Sequence, residues 1–180
     1  MKIIETERLI LRTWCESDVE IMAAINQDPK VCEYLPGPLT YEETKAAIER
    51  FVRHYKKHGF CLYAAEIKLT QQFIGWIGLS IPAFSAHFMP AVEIAWRLDS
   101  KHWNQGYATE GAKAVRDYAF TTLNLDEIVS FTTIANKASR RVMEKIGMHH
   151  NKKDDFFHPK LDRSHPICKH VLYRLPKREY

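Results

Sequence analysis

No apolar run in the chain approaches the ~20 residues that a membrane-spanning helix needs, and the opening segment Met1–Arg8 lacks the apolar stretch of a secretory signal. A soluble, cytoplasmic protein without a membrane partner is the expectation. Cysteine is scarce: Cys15, Cys32, Cys61 and Cys168 stand far apart with no C-x-x-C pair, which excludes a disulfide framework and points to reduced, buried thiols. An excess of one charge is missing from most of the chain, since residues 1–148 hold 18 Lys and Arg against 18 Asp and Glu. The net +4 comes from residues 149–180, with 8 against 4, and no basic helix or aromatic RNA-binding motif organises it. A nucleic-acid partner is therefore not expected, and the basic tail reads as a solvated face. The common nucleotide loops are absent as well: there is no G-x-x-x-x-G-K-S/T, and Gly75-Trp76-Ile77-Gly78 falls inside a predicted strand rather than forming G-x-G-x-x-G.

What is present is ordinary globular material, 46% hydrophobic and 27% charged over 180 residues, a length that fits one domain. Alternation from Thr6 to Trp14 predicts a first strand. Ser17-x-x-Glu20 and Thr40-x-x-Glu43 have capping-box spacing and predict two helices, the second running through Ala47, Ile48, Phe51, Val52 and Tyr55 until Gly59 stops it. Phe60 to Leu69 and Phe73 to Ile81 flank a polar turn and predict a hairpin, and Ala91 to Leu98 a further strand. A helix is expected over Tyr107 to Phe120, a strand over Glu127 to Ile134, and a helix over Lys137 to Ile146 closed by Gly147. Met148 to Phe157 and Cys168 to Leu175 complete the order β-α-α-β-β-β-α-β-α-β-β.

The chemistry is written most densely between Glu93 and Glu110. A strand runs into a polar loop, then Gly106, then a helix. Amides at such a helix start point one way and carry the positive end of the helix dipole, so they suit a phosphate or pyrophosphate, and a glycine lets the anion approach the backbone. Many helices begin after a glycine, so the spacing alone leaves an anion site and a plain helix start both open.

The six positions Trp103-Asn104-Gln105-Gly106-Tyr107-Ala108 resemble the Q/R-x-x-G-x-G/A coenzyme A motif of the GNAT acetyltransferases, and Asn136 to Met148 resembles the second block of that family, with N-x-x-S followed by an E-K-x-G ending. The pair is similar to the branch containing the ribosomal-protein N-terminal acetyltransferases, and the likeness extends over nearly the whole chain. The resemblance implies an α/β fold of the α+β kind, with a mixed, mostly antiparallel sheet of about seven strands and about four helices. It implies acetyl-coenzyme A as co-substrate and an amine acceptor, either a protein N-terminus or a small molecule, in a monomer or homodimer. Backbone groups of Trp96 and Leu98 would pair with the pantetheine arm, and amides of Asn104, Gln105, Gly106, Tyr107, Ala108 and Thr109 would hold the pyrophosphate. Asn136 and Ser139 would lie near pantetheine and thioester, although without the first motif helix capping is the better reading of both.

Two positions depart from the family pattern. Trp103 replaces the polar first residue of the loop, and Met143 stands where many relatives carry the tyrosine that protonates the leaving thiolate. A thioether cannot donate a proton, so Ser139 is the candidate acid. Glu93 is the candidate base, or else a polar residue pairing with a neighbouring cation, and Glu66 is a weaker candidate. Met143 also leaves open a coenzyme A-binding regulatory module with weak catalysis. Five of the nine histidines, His149, His150, His158, His165 and His170, cluster with Cys168 near the C-terminus, but their spacing fits no familiar zinc pattern and no metal is expected. That tail is a candidate wall of the acceptor side. The loop Pro29 to Leu39 is a candidate lip of the same site, and Trp76, Trp96, Trp103 and the Phe84 to Phe88 region are candidates to line a cleft.

Overall fold

The computed structural model describes residues 1–180. The chain begins with a tight antiparallel pair, β1 (Lys2–Glu5) and β2 (Leu9–Arg12). One strand was expected from Thr6 to Trp14. The chain instead turns at residues 6–8, where Thr6 N–H donates to the Leu9 carbonyl at 2.9 Å and Leu9 N–H returns to Thr6 Oγ1 at 2.8 Å. Helices α1 (Asp18–Gln27), α2 (Pro29–Cys32) and α3 (Tyr41–His58) follow. Thr40 and Glu43 form the expected capping box, and Gly59 ends α3 at φ +78°. The expected box at Ser17 does not form: Ser17 makes no side-chain cap bond. Asp18 fastens that helix start instead, accepting from Cys15 N–H at 2.8 Å and from both terminal nitrogens of Arg12.

The sheet continues through β3 (Leu62–Ile67), β4 (Gln72–Ser80) and β5 (Glu93–Leu98), crosses by α4 (Tyr107–Thr121) to β6 (Glu127–Thr133), and leaves by α5 (Lys137–Lys145). Gly147 closes α5 at φ +87°, with Met148 N–H bonded to the Met143 carbonyl and Gly147 N–H to that of Glu144, the two bonds of a Schellman motif. The expected strand from Met148 to Phe157 is broken by a 3-10 turn at Lys152–Asp154 into β7 (His149–His150) and β8 (Phe156–Phe157), both pairing with β9 (Lys169–Pro176). Nine strands and five helices thus replace about seven and four: β1 precedes the expected first strand, the expected strand from Met148 to Phe157 divides in two, and the short helix α2 is added.

The strand order is β1-β2-β3-β4-β5-β6-β9-β7, with β8 also on β9. Every pairing is antiparallel except β5–β6, which is parallel and touches at a single register, Glu93 opposite Val129. One face of the sheet buries Ile77, Ile94 and Leu98 under Ala112, Val115 and Ala119 of α4. The approach is close enough that a Cβ on Gly111 would lie 2.3 Å from Ile77 Cδ1. The other face packs Trp76, Ala64 and Phe73 beneath α1 and α3. No helix is long and apolar enough to cross a membrane.

Candidate active site

The single contact between β5 and β6 determines the site. Val129 N–H donates to the Val92 carbonyl at 2.9 Å, and past that point the two strands diverge. On its other edge β5 is paired with β4 along its length, and Asp99 N–H donates to the Ile74 carbonyl. Alternation of edge groups along a strand then turns the main-chain groups of Trp96 and Leu98 toward the gap. The indole N–H of Trp103 donates to the Leu98 carbonyl at 2.8 Å, so the residue that departs from the expected polar identity holds the loop to the strand it follows.

At the mouth of this gap the chain enters α4. Asn104 has φ +60° and Gly106, the residue before the first helical turn, has φ +86°. None of the six amides from Asn104 to Thr109 donates within the chain, and the first bond of α4 runs from Glu110 N–H to the Gly106 carbonyl. Unpaired N–H groups at a helix start are able to cradle an anion, and five of these six residues line one cavity. That cavity, of about 400 Å³, is lined by Gly106, Tyr107, Ala108 and Thr109 from α4, by Trp96 and Leu98 from β5, and by Asn136, Ser139 and Val142 across the gap. Gln105 alone of the expected loop residues lies outside the lining. Its side chain bends back to the Lys101 carbonyl at 3.1 Å.

The loop is braced by residues the sequence did not single out. Arg8 Nε donates to Glu110 Oε2 at 2.6 Å, its Nη1 to the Gln105 carbonyl at 2.9 Å, and its guanidinium lies 4.5 Å from the centre of the Tyr107 ring. Burial alone would raise the Glu110 carboxyl, but hydrogen bonds from Thr6 and Arg8 outweigh it and hold the group below the usual carboxylate range. Lys30, Arg141 and Lys145 also line the cavity and were not anticipated. For the last two a signal existed: i,i+4 spacing on α5 puts them on one face, one turn beyond Ala138.

A second cavity of about 260 Å³ adjoins the first, the two sharing Tyr34, Leu35, Trp96, Arg97, Asn136 and Ser139. Its floor is the row Glu93, Ala95, Arg97 with Trp76 beside it. Its walls are Phe131 and Thr132 of β6, the 34–36 segment after α2, and His158, Leu161, Ile167 and His170 from the tail. Glu93 is half-buried, and removal from water pushes its carboxyl up to about 8 against the opposing hydrogen bond from Ser80 Oγ at 3.3 Å. Burial likewise pulls His170 down to about 4.

Across the gap, Asn136 caps α5, accepting from Ser139 N–H at 3.1 Å and donating to Thr132 Oγ1 at 3.1 Å. Its side chain is therefore committed to capping while its edge faces both cavities. Ser139 is half-buried and lends only its N–H to that cap, which leaves the hydroxyl on the cleft. Met143 is buried to 1% in the main core. Glu66 is removed as a candidate base: it pairs with Arg12 at 2.8 Å and lines neither cavity. The Phe84 to Phe88 region does not line the cleft either, because Phe84 and Phe88 pack against Phe131 and Phe156 in a small aromatic core behind it.

Comparison with known proteins gives a consistent result. The acetyltransferase (GNAT) domain family matches residues 8–149. An uncharacterized Bacillus subtilis protein, YkkB, is 33% identical over 148 residues, covering 82% of this chain and 85% of the relative. The uncharacterized N-acetyltransferase YnaD of the same organism is 29% identical over 98% of both chains. Among solved structures, a GNAT-family acetyltransferase from Bacillus anthracis superposes with a TM-score of 0.80 at 26% identity, over 98% of this chain and 99% of that one. A ribosomal-protein-S5-alanine acetyltransferase from Vibrio fischeri (TM-score 0.77, 18% identity, 100% and 98% covered) shares the fold, as does a Vibrio cholerae spermidine N-acetyltransferase solved with coenzyme A and spermine (0.74, 18%, 96% and 98%).

Proposed function

The chain belongs to the acetyltransferase (GNAT) family, and on that footing we propose that it moves an acetyl group from acetyl-coenzyme A to a primary amine. One observation carries the reading: six free amides open α4 at the mouth of a cleft that also holds a half-buried carboxyl. Acetyl-coenzyme A supplies the acyl group as an activated thioester. The residues present suit it, since Asn104 to Thr109 offer N–H donors to a diphosphate, the open edge of β5 offers the main-chain groups of Trp96 and the N–H of Leu98 to an amide-bearing arm, and Lys30, Arg141 and Lys145 supply positive charge around the same cavity.

The chain's own groups then have defined work. Glu93 takes the proton of the incoming amine. An α-amine, with an ordinary value of roughly 7.7–8.0, gives up its proton more easily near neutral pH than a lysine amine near 10.4, and so makes the smaller demand on Glu93. That smaller demand favours a protein or peptide N-terminus, or another amine of low basicity. Ser139 Oγ, free of intramolecular bonds and on the cleft, gives a proton to the departing thiolate in place of the missing tyrosine, and the proton that Glu93 took from the amine is returned to Ser139 through water, so that the thiol leaves and both side chains are restored. The tail excludes bulk water from the acceptor side. A small-molecule amine is the second reading, favoured by the roughly 260 Å³ acceptor cavity that residues 158–170 help enclose.

The test is free-thiol release from acetyl-coenzyme A with peptide and small-amine acceptors, in wild type, Glu93→Gln and Ser139→Ala. Release that depends on both side chains is expected. Tight coenzyme A binding with no release for any acceptor replaces this reading with a non-catalytic coenzyme A-binding module.

A further inference from the structure

Arg97 is a cation without an anion. It projects from β5 on the face opposite α4, where Asn26 of α1, Trp76 of β4 and Cys32 of α2 surround it. Its Nη1 donates to Asn26 Oδ1 at 2.7 Å, and its guanidinium lies 5.5 Å from the Trp76 ring centre. Both partners are neutral. Burial keeps the Cys32 thiol protonated by pushing it up, and no carboxylate pairs with the guanidinium. The same burial pulls Arg97 down to about 10, which leaves it charged near neutral pH.

The group is also held in place. Asn26 is buried and donates its own amide N–H to Thr44 Oγ1 at 2.9 Å, which fixes Oδ1 toward Arg97. Nε and Nη2 make no bond within the chain and open on the cavity wall. An arginine fork with one corner pinned and the rest free presents paired donors, the geometry that a carboxylate accepts. A half-buried charge without a counter-ion is costly, and a ligand that supplies the counter-ion recovers that cost.

Glu93 and Arg97 lie on the same face of β5, four residues and so about 13 Å apart at Cα, with the small Ala95 leaving the floor between them open. No acidic residue other than Glu93 lines the second cavity. A polyamine would bring two or more positive charges to a cavity whose fixed charge is Arg97.

We infer that Arg97 is the anion-reading half of the acceptor site, so that the acceptor is an amine that also carries a carboxylate, its amine at Glu93 and its carboxylate on the guanidinium. This rests on the acetyl-transfer reading of the same cleft and names the class of acceptor within it.

The experiment is calorimetry on the coenzyme A-saturated protein with acceptor pairs that differ only in the carboxylate: lysine against cadaverine, ornithine against putrescine, and β-alanine against ethylamine. Wild type is expected to bind the carboxylate member of each pair at least tenfold tighter. Arg97→Gln should erase the difference and Arg97→Lys retain part of it, with coenzyme A affinity unchanged and a normal thermal transition in both. Equal binding within the pairs, or tighter binding of the polyamine, overturns the proposal even where acetyl transfer proceeds. Loss of coenzyme A affinity in Arg97→Gln overturns it too, by giving the guanidinium to the cofactor. Should wild type fail to bind coenzyme A, it is the acetyl-transfer reading that falls. The same pairs titrated into cofactor-free wild type and Arg97→Gln then decide the subsite alone: discrimination lost with the arginine supports it, and no discrimination overturns it.

Discussion

Arg8 Nε lies 2.6 Å from Glu110 Oε2 across 102 positions of sequence, and the same guanidinium reaches the Gln105 carbonyl at 2.9 Å. One side chain thereby ties the β1–β2 turn to both ends of the loop that opens α4. The loop proposed to hold the diphosphate is thus braced from outside by a neighbouring piece of sheet.

Glu110→Gln should loosen that brace. Hydrogen bonds to charged groups contribute roughly 1.5–3 kcal/mol when well buried, and the partial exposure of Arg8, at 42%, lowers the expectation to about 1 kcal/mol. A reduction of a few degrees in Tm and roughly tenfold weaker coenzyme A binding are the expected results, read by thermal melting and calorimetry. The sign with pH follows from the folded carboxyl lying below its ordinary 4.5. Its contribution is complete above that value and is lost as pH falls below it, so wild type and variant should converge in acid.

Gly106 sits at φ +86°, and a Cβ there would meet Arg8 Nη2 at 3.2 Å. Gly106→Ala should cost roughly 1–2 kcal/mol of stability from the left-handed backbone alone. Gly106→Glu should in addition abolish coenzyme A binding by setting a negative charge against the diphosphate, while circular dichroism shows the fold retained. Unchanged affinity in calorimetry would remove the anion site from residues 104–109.

The rate of acetyl transfer should rise as pH passes through about 8, where Glu93 becomes a carboxylate. Glu93→Gln should lower kcat by about 10²–10⁴ and flatten that limb. Stability should move the other way. A carboxyl whose folded value is raised contributes most below its unfolded value of about 4.5, and that contribution is lost as pH climbs through about 8. The variant should therefore gain Tm relative to wild type at pH 9 and not at pH 5.

Asn136 and Ser139 are separable by substitution. Asn136→Ala removes the α5 cap and should cost about 0.5–2 kcal/mol in denaturant unfolding. Ser139→Ala leaves that cap intact, because Ser139 contributes its N–H and not its hydroxyl, so stability should stay within about 0.5 kcal/mol while kcat falls. A Ser139→Ala enzyme with undiminished kcat would assign the leaving-group proton to another donor.

Helices α3, α4 and α5 were legible because their signals are local: Thr40 and Glu43 lie three residues apart, and Gly59 and Gly147 mark stops that a left-handed residue makes. Short-range competition explains the misses. Ser17 had the spacing of a cap, but Asp18, with Arg12 and Cys15 as partners, fastened the helix first. Alternation from Thr6 to Trp14 suggested one strand, yet two hydrogen bonds between Thr6 and Leu9 close a turn within it.

By itself the sequence determined the family motifs, the glycine-opened helix with its unpaired amides, and the candidates Glu93 and Ser139, since each depends on residue type and near-neighbour spacing. Tertiary structure alone decided what those candidates face. It parted β5 from β6 beyond a single contact, removed Glu66 to an ion pair with Arg12, brought Arg8 to Glu110, and left Arg97 without a counter-ion on the wall of the second cavity. Those relationships join residues tens of positions apart, and only the folded sheet, with its register and its burial, brings such groups within bonding distance or denies them a partner.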